Sequence, residues 1–392
     1  MSGLLRAFGL AVAVLLFAGE GWAMQRFGPL QFSGSLETQN IFRHPAVDDW
    51  TFIQQRNTVR LRFDLDIVKN RSGTLGFDIP GVKDLGGFLL YRPVYDSIFD
   101  LKPGGRFDVF PYRGDAKDGS LEDFTDDVRD SIRETNAGLN SFREIYMDLT
   151  LSKIPLSFRI GRQQVVWGET DNFRLLDRVN PLDLTWHLQQ ESWDKIRVPL
   201  WMVKGLFSFG TFGPFGESFL EFYWGLGDWI PAKRRFYPYP WSVPINDPLV
   251  NPATCTDPGN SLTCEQFGVV KGVPFRKGDY DKDPIDNGQW GARFVFNTPQ
   301  AIQIGLHYFY NRFPFDDGSQ AASLRGVNLT GPTPSTSLNN LISIGNGVLP
   351  LEVVLPYVHT VGLSANYSDD EYTQTVYRME TIYEVDLPFT DE

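Results

Sequence analysis

The stretch Val59–Val68, VRLRFDLDIV, decides the fold class. Apolar side chains at its odd-numbered positions alternate with charged ones at Arg60, Arg62, Asp64 and Asp66. This period of two predicts a β-strand, because successive side chains of a strand point to opposite faces. One face of the strand is therefore continuously apolar, and the other is charged.

The same alternation recurs along the chain and predicts a protein built of strands. Eleven strands are expected, near residues 30–42, 52–68, 86–97, 141–152, 156–164, 197–209, 217–227, 288–297, 301–312, 357–368 and 372–387. Short connections, such as 153–155 and 297–300, alternate with long polar stretches near 98–140, 165–196, 229–287 and 313–356. This layout is typical of outer-membrane barrels and uncommon in compact soluble domains.

The N-terminus has the pattern of a secretory signal peptide. Arg6 precedes an apolar run over residues 7–18, and Gly21-Trp22-Ala23 places small residues at the positions that a signal peptidase reads. We expect Sec-type export with cleavage near Ala23, which leaves one domain over 24–392. The net charge of −12 argues against a nucleic-acid partner, and the mean hydropathy of −0.23 argues against a bundle of membrane helices.

These features predict an all-β protein, a transmembrane antiparallel β-barrel of the bacterial outer membrane. In hydrocarbon a closed barrel pairs every backbone polar group, and a charge on the lipid face costs about 2–4 kcal/mol at the midplane. The apolar face of each strand should then meet lipid and the charged face a water-filled lumen. A soluble β-sandwich is the competing interpretation. Eleven is an odd number, whereas single-chain bacterial barrels use an even one, so we expect the barrel to be incomplete at its C-terminus.

The polar faces of the predicted strands provide the candidate pore-lining residues. These are Arg60, Arg62, Asp64, Asp66, Glu144, Tyr146, Asp148, Arg159, Arg378 and Glu380.

The most distinctive stretch is GRQQVVWGETDNFRLLDRVNPLDLTWHLQQE, residues 161–191. Its Gly161-Arg162-Gln163, Trp167-Gly168 and Asn180-Pro181-Leu182-Asp183, together with DLPF near the C-terminus, resemble proteobacterial outer-membrane proteins of the family known as domain of unknown function 1302. The resemblance spans roughly residues 30–390 and implies a porin-type outer-membrane barrel whose substrate is not established. Members of the family usually run longer, as an incomplete barrel implies.

The 161–191 stretch carries charges of both signs, and we predict that it folds into the lumen as a constriction loop. Its candidate residues are Arg162, Gln163, Trp167, Glu169, Asp171, Arg174, Arg178 and Asp183. The alternative is that these charges pair with the lumen wall and only anchor the loop.

Other signatures of function are few. Cys255 and Cys264 predict a local disulfide, as expected of an exported protein. The four histidines are scattered, and no hydrolase, zinc-protease or haem-attachment motif occurs, so we expect neither an enzyme nor a bound cofactor or metal.

The sequence favours a channel for small solutes, with outer-membrane lipid around it. Two alternatives remain open. One is a transporter of hydrophobic compounds or lipids that works with a periplasmic partner protein. Its lipophilic cargo would need an apolar patch inside the barrel, to which Trp186, Phe219, Tyr223 and Phe309 are the candidate contributors. The other is a scaffold with a plugged lumen that conducts nothing.

Overall fold

The structure is a computed structural model that describes residues 24–43, 51–74, 78–96, 141–169, 174–182, 192–229, 275–277, 283–312, 327–329, 351–353, 357–370 and 372–385. These ranges contain β-strands and one short helix. Their bounds are β1 Gln25–Phe27, β2 Leu30–Arg43, β3 Thr51–Lys69, β4 Ser72–Gly73, β5 Val82–Tyr91, β6 Val94–Asp96, β7 Phe142–Leu151, β8 Leu156–Gln163, α1 Trp193–Ile196, β9 Leu200–Phe212, β10 Phe215–Gly225, β11 Phe275–Lys277, β12 Trp290–Asn297, β13 Gln303–Arg312, β14 Val327–Leu329, β15 Leu351–Val353, β16 Tyr357–Asp369 and β17 Thr375–Val385.

Fourteen of the strands form one antiparallel sheet. Its order is β1-β2-β3-β5-β7-β8-β9-β10-β12-β13-β16-β17, with β4 and β6 paired to β3. Strands that follow one another in sequence are therefore neighbours in the sheet. A separate three-stranded sheet has the order β11-β15-β14. No helix within the described ranges is long and apolar enough to cross a membrane.

The eleven predicted strands are confirmed, as β2, β3, β5, β7, β8, β9, β10, β12, β13, β16 and β17. The other strands have two or three residues each. So short a strand shows no recognisable alternation, and the sequence did not reveal it.

The sheet differs from the predicted barrel in that it is not closed. Within the described ranges no pairing joins β17 to β1 or β2. The eleven long strands alternate in direction, so β2 and β17 run the same way. A direct pairing between them would be parallel, unlike every other pair in this sheet.

The register separates the sheet into two chemically different faces. Paired residues of neighbouring strands share a face. One row of pairs is mostly apolar and runs through Met147, Ile160, Val203, Trp224, Trp290 and Tyr310. The adjacent row is largely polar and runs through Asp66, Gly86, Asp148, Arg159, Lys204, Tyr223, Gly291, Phe309, Thr360 and Glu384. We call the face of the first row the outer face and that of the second the inner face.

The outer face exposes large apolar side chains over several strands. Their exposed fractions lie between 38% and 50% for Ile145, Met147, Ile160, Trp224, Trp290, Leu306 and Val361. Aromatic contacts gather towards the two ends of β12. Trp290 lies 5.1 Å from Tyr308 at one end, and Phe296 lies 4.7 Å from Phe215 at the other, measured between ring centroids.

The inner face is partly covered by the connection between β8 and β9. We call its described parts, residues 164–169, 174–182 and 192–199, the covering segment. The hydrophobic core of the protein lies between this segment and the inner face, and consists of Val165, Trp167, Leu176, Val179, Leu200, Met202, Tyr223, Trp229 and Phe309.

Gly161 allows β8 to approach β7 closely just before the covering segment begins. Its φ of +140° disfavours residues with a side chain, and a Cβ there would lie 2.3 Å from the carbonyl oxygen of Ile145. Only glycine fits this position without moving the backbone of β7.

We expect Gly161→Ala to lower the free energy of unfolding more than the matched control Gly213→Ala. Gly213 also has a positive φ, of +59°, but a Cβ there meets nothing within 4 Å. Both variants carry a conformational cost of about 1–2 kcal/mol, and the clash at Gly161 adds about 1–3 kcal/mol. Urea unfolding of the refolded protein measures the difference, and equal losses would contradict the close approach.

Candidate functional site

The inner face of β3, β5, β7 and β8 holds an open polar cavity of about 420 Å³. It lies beside the part of the face that the covering segment occupies. Its lining contains six of the predicted pore-lining residues, Arg62, Asp64, Asp66, Tyr146, Asp148 and Arg159. The other lining residues are Leu65, Val68, Lys69, Asp84, Leu85, Gly86, Gly87, Phe88 and Thr150.

Two arginine–aspartate pairs dominate the cavity wall. The Nε and Nη2 groups of Arg62 donate to the two carboxylate oxygens of Asp64 over 2.7 and 3.0 Å. Those of Arg159 donate to the carboxylate of Asp148 over 2.7 and 2.9 Å. Each pair is bidentate, which fixes the guanidinium and the carboxylate in one plane.

Two aromatic rings support these guanidinium groups. Phe88 and Tyr146 stack with centroids 4.6 Å apart. The guanidinium of Arg159 lies 4.0 Å from the centroid of Tyr146, and that of Arg62 lies 5.1 Å from the centroid of Phe88. Cation–π attraction to the two rings helps to fix the positions of the guanidinium groups in the cavity wall.

The remaining charged side chains of the lining also form ion pairs or hydrogen bonds. Lys69 Nζ lies 3.2 Å from a carboxylate oxygen of Asp66, and Asp84 accepts a 2.9 Å hydrogen bond from the backbone N–H of Asn70. The cavity wall therefore carries three cationic and four carboxylate side chains, an excess of one negative charge.

Trp167 anchors the covering segment at the centre of the inner face. Its indole Nε1 donates to Glu221 over 3.1 Å. Glu221 is 3% exposed and is also paired with Lys204 Nζ at 2.8 Å and with Arg293 Nε at 2.7 Å. The buried carboxylate is thus fully compensated, as a buried charge requires.

Arg178 attaches the covering segment to β16 and β17. Its guanidinium forms an ion pair with Glu384 and donates to the hydroxyl of Thr360 over 3.2 Å. Its backbone carbonyl accepts a 3.2 Å hydrogen bond from Asn311. Side-chain exposures of 9% for Arg178 and 16% for Glu384 make this a largely buried pair.

Glu380 also holds the segment, through backbone groups. Its carboxylate accepts hydrogen bonds from the backbone N–H groups of Glu169 and Leu176. Burial raises the pKa of the Glu169 carboxyl, and the negative charge of Glu380 acts in the same direction.

The opposite end of the segment is attached to β7 and the residue that follows β5. The guanidinium of Arg143 donates to the carbonyl oxygens of Lys195 and Arg197, and that of Arg92 donates to the carbonyl of Lys195 over 2.8 Å. Within the segment, Arg197 Nε donates to Asp177 over 2.8 Å. The segment is therefore fixed at both sides of the inner face.

The motif residues Gln163 and Asn180 contribute buried amides to this attachment. Asn180 Oδ1 accepts from the backbone N–H of Val165 over 2.7 Å, and its Nδ2 donates to the carbonyls of Gln163 and Val198 over 3.2 and 2.9 Å. The Gln163 side chain donates to the carbonyl of Met202 over 3.2 Å. The distinctive motif of the sequence thus determines the shape of the covering segment.

The position of Arg162 differs from the prediction, which assigned this residue to a constriction loop. It pairs with Ile145 and Trp201, both exposed on the outer face, and its Nε donates to the carbonyl of Pro199 over 3.3 Å. Arg162 still belongs to β8, so its side chain points away from the face that Gln163 occupies.

The other predicted residues fall into three groups. Arg174 donates to the carbonyl of Asn180 over 2.8 Å and so braces the covering segment. Arg60, Glu144 and Arg378 share the parity of the inner face but do not line the cavity. The signal peptide 1–23 and residues Asp171, Asp183, Trp186, Cys255 and Cys264 lie outside the described residues.

Sequence reasoning missed several inner-face residues. Lys204, Glu221 and Arg293 each stand in a strand that is otherwise rich in apolar side chains. A charge at an inner position of such a strand was the available signal. Within the part of the chain described, no three His, Cys, Asp or Glu side chains gather as a metal site.

The family model described as protein of unknown function (DUF1302) matches residues 49–392. No curated protein matches the chain.

We expect Arg178→Ala to lower the free energy of unfolding by about 3 kcal/mol, because it leaves the carboxylate of Glu384 buried without its partner. The matched control is Lys195→Ala, which removes an exposed 2.8 Å pair between the same segment and Glu37 and should cost at most about 1 kcal/mol. Urea titration of both variants measures the difference. A similar small loss in both would show that the Arg178 pair does not hold the segment.

Proposed function

We propose that the chain, which belongs to the DUF1302 family, is an outer-membrane channel of porin type. In this proposal residues 1–23 direct Sec-type export and small solutes pass along the polar cavity. The fourteen-stranded sheet, whose two ends are not paired with each other within the described residues, forms part of the wall of a transmembrane barrel. The protein acts by conduction, without catalysis.

The observation that carries the proposal is the segregation of the two sheet faces. Trp224, Trp290, Leu306 and Val361 are about half exposed on the outer face. An apolar surface that extends over several strands marks a site of membrane or protein contact. Aromatic side chains towards both strand ends are the arrangement expected at the two interfaces of a bilayer.

The inner face supports a water-filled passage. The bidentate pairs of Arg62 with Asp64 and of Arg159 with Asp148 lie in an open cavity, where water hydrates both partners. The covering segment occupies the neighbouring part of the face and is attached on both sides. In this proposal the covering segment is a fixed part of the wall and narrows the passage.

The contacts of the inner face favour a polar solute over a lipophilic cargo. Tyr223 and Phe309 were candidates for an apolar patch, but both are fully buried beneath the covering segment. The ring of Phe219 lies 5.7 Å from the guanidinium of Arg293. Tyr223 and Phe309 therefore contribute to no open apolar surface, and Phe219 lies beside a charged group.

Planar-bilayer recording of the purified full-length protein tests the proposed channel. We expect steady open steps, because the cavity is open and polar. A protein that folds in detergent and inserts without conducting would contradict the channel and favour the non-conducting scaffold.

Leu306→Arg tests whether the outer face meets lipid. Leu306 lies in the middle of β13 and is 50% exposed, so the change costs little if the face is in water. If the face meets hydrocarbon, the change costs about 2–4 kcal/mol. We expect the variant to assemble poorly in liposomes, measured as the loss of the heat-modifiable gel band.

The matched control is Ile285→Arg, which makes the same kind of change at a turn residue that is 80% exposed. It should assemble like the unaltered protein. Equal assembly of the two variants would contradict the contact between the outer face and lipid.

A further inference from the structure

All charges of the polar cavity except that of Asp84, which accepts a backbone hydrogen bond, are arranged as neighbouring pairs of opposite sign. Arg62 is joined to Asp64, Arg159 to Asp148, and Lys69 to Asp66. No cation of the cavity lining therefore stands without an adjacent carboxylate. The field of such a pair falls off faster with distance than the field of a single charge, since the two contributions largely cancel.

Ion-selective pores use a different arrangement. They present rings of one charge sign, or dipoles all oriented alike, which replace the hydration shell of one kind of ion. Except at Asp84, an ion in this cavity would meet each attractive charge beside a repulsive one. The lining provides little compensation for the dehydration of either an anion or a cation.

The same pairs still offer hydrogen bonds to a polar solute. Each carboxylate has more acceptor sites than the two that its arginine uses, and each guanidinium has further N–H donors beyond those in the pair. Tyr146 adds its hydroxyl group to the lining. Donors and acceptors thus alternate along the wall, and a hydroxyl group can use both.

We propose that the polar cavity takes polyhydroxylated solutes without net charge, the class to which sugar alcohols belong. The inference rests on the proposed channel function and adds its solute class. The volume of about 420 Å³ is within the range of small-molecule sites. The bidentate pairs, held over Phe88 and Tyr146, leave the wall with an excess of only one negative charge, that of Asp84.

Reversal potentials across a potassium chloride gradient test the charge balance of the wall. We expect the unaltered channel to discriminate only weakly between potassium and chloride. Arg159→Gln leaves the Asp148 carboxylate uncompensated and should shift the reversal potential towards that of a cation-selective pore. Asp148→Asn should shift it in the opposite direction, and the double variant should restore the original value.

The matched control is Lys83→Gln, which removes the same charge from an exposed side chain outside the cavity. It should leave the reversal potential unchanged. Open steps of ordinary size in each variant show that it has folded. Strong ion selectivity of the unaltered channel, or shifts as large in the control as in Arg159→Gln, would overturn the inference.

Liposome swelling tests the solute class directly. Sorbitol and gluconate share the same carbon chain and differ in net charge, and valinomycin lets potassium accompany gluconate. We expect sorbitol to enter several-fold faster than gluconate. Faster or equal entry of gluconate would overturn the inference while leaving the channel intact. Absence of both conductance and swelling would instead overturn the proposed channel, and the inference with it.

Discussion

The structure depends on the strict alternation of side chains between the two faces of one long sheet. A shift of β10, or of β12, by one residue against its neighbours would move Glu221, or Arg293, to the face that Val203 and Leu306 occupy. The charges would then lie among exposed apolar groups, and the core under the covering segment would lose its polar partners. Register, core and cavity are therefore consequences of the same constraint.

The covering segment makes the two halves of the inner face different. Over β9 to β17 its apolar side chains fill the space above the sheet, and buried charges such as Glu221 are compensated by several donors. Where β3 to β8 line the cavity the face is left open, and its arginine–aspartate pairs are partly exposed. The segment thus determines both where the protein is closed and where a solute finds room.

The alternation of polar and apolar residues was enough to predict the eleven long strands and the face of residues such as Asp148 and Arg159. It could not predict pairing across the sheet, so the ion pairs and the open edge at β17 became visible only in three dimensions. The strand predicted over 156–164 already contained Arg162, and its parity with Phe158 and Ile160 indicated the outer face, but the prediction followed the motif and assigned Arg162 to the constriction loop. Tyr223 and Phe309 were misread because the sequence does not show what the covering segment buries.

Quenching of tryptophan fluorescence by brominated lipids tests most directly whether the two faces meet different surroundings. Two single-tryptophan variants in liposomes are needed, one retaining Trp290 and one retaining Trp167, which are 46% and 1% exposed. We predict strong quenching of Trp290 on the outer face and almost none of Trp167, which is buried between the covering segment and the inner face. Equal quenching of the two, or quenching of neither, would contradict this prediction.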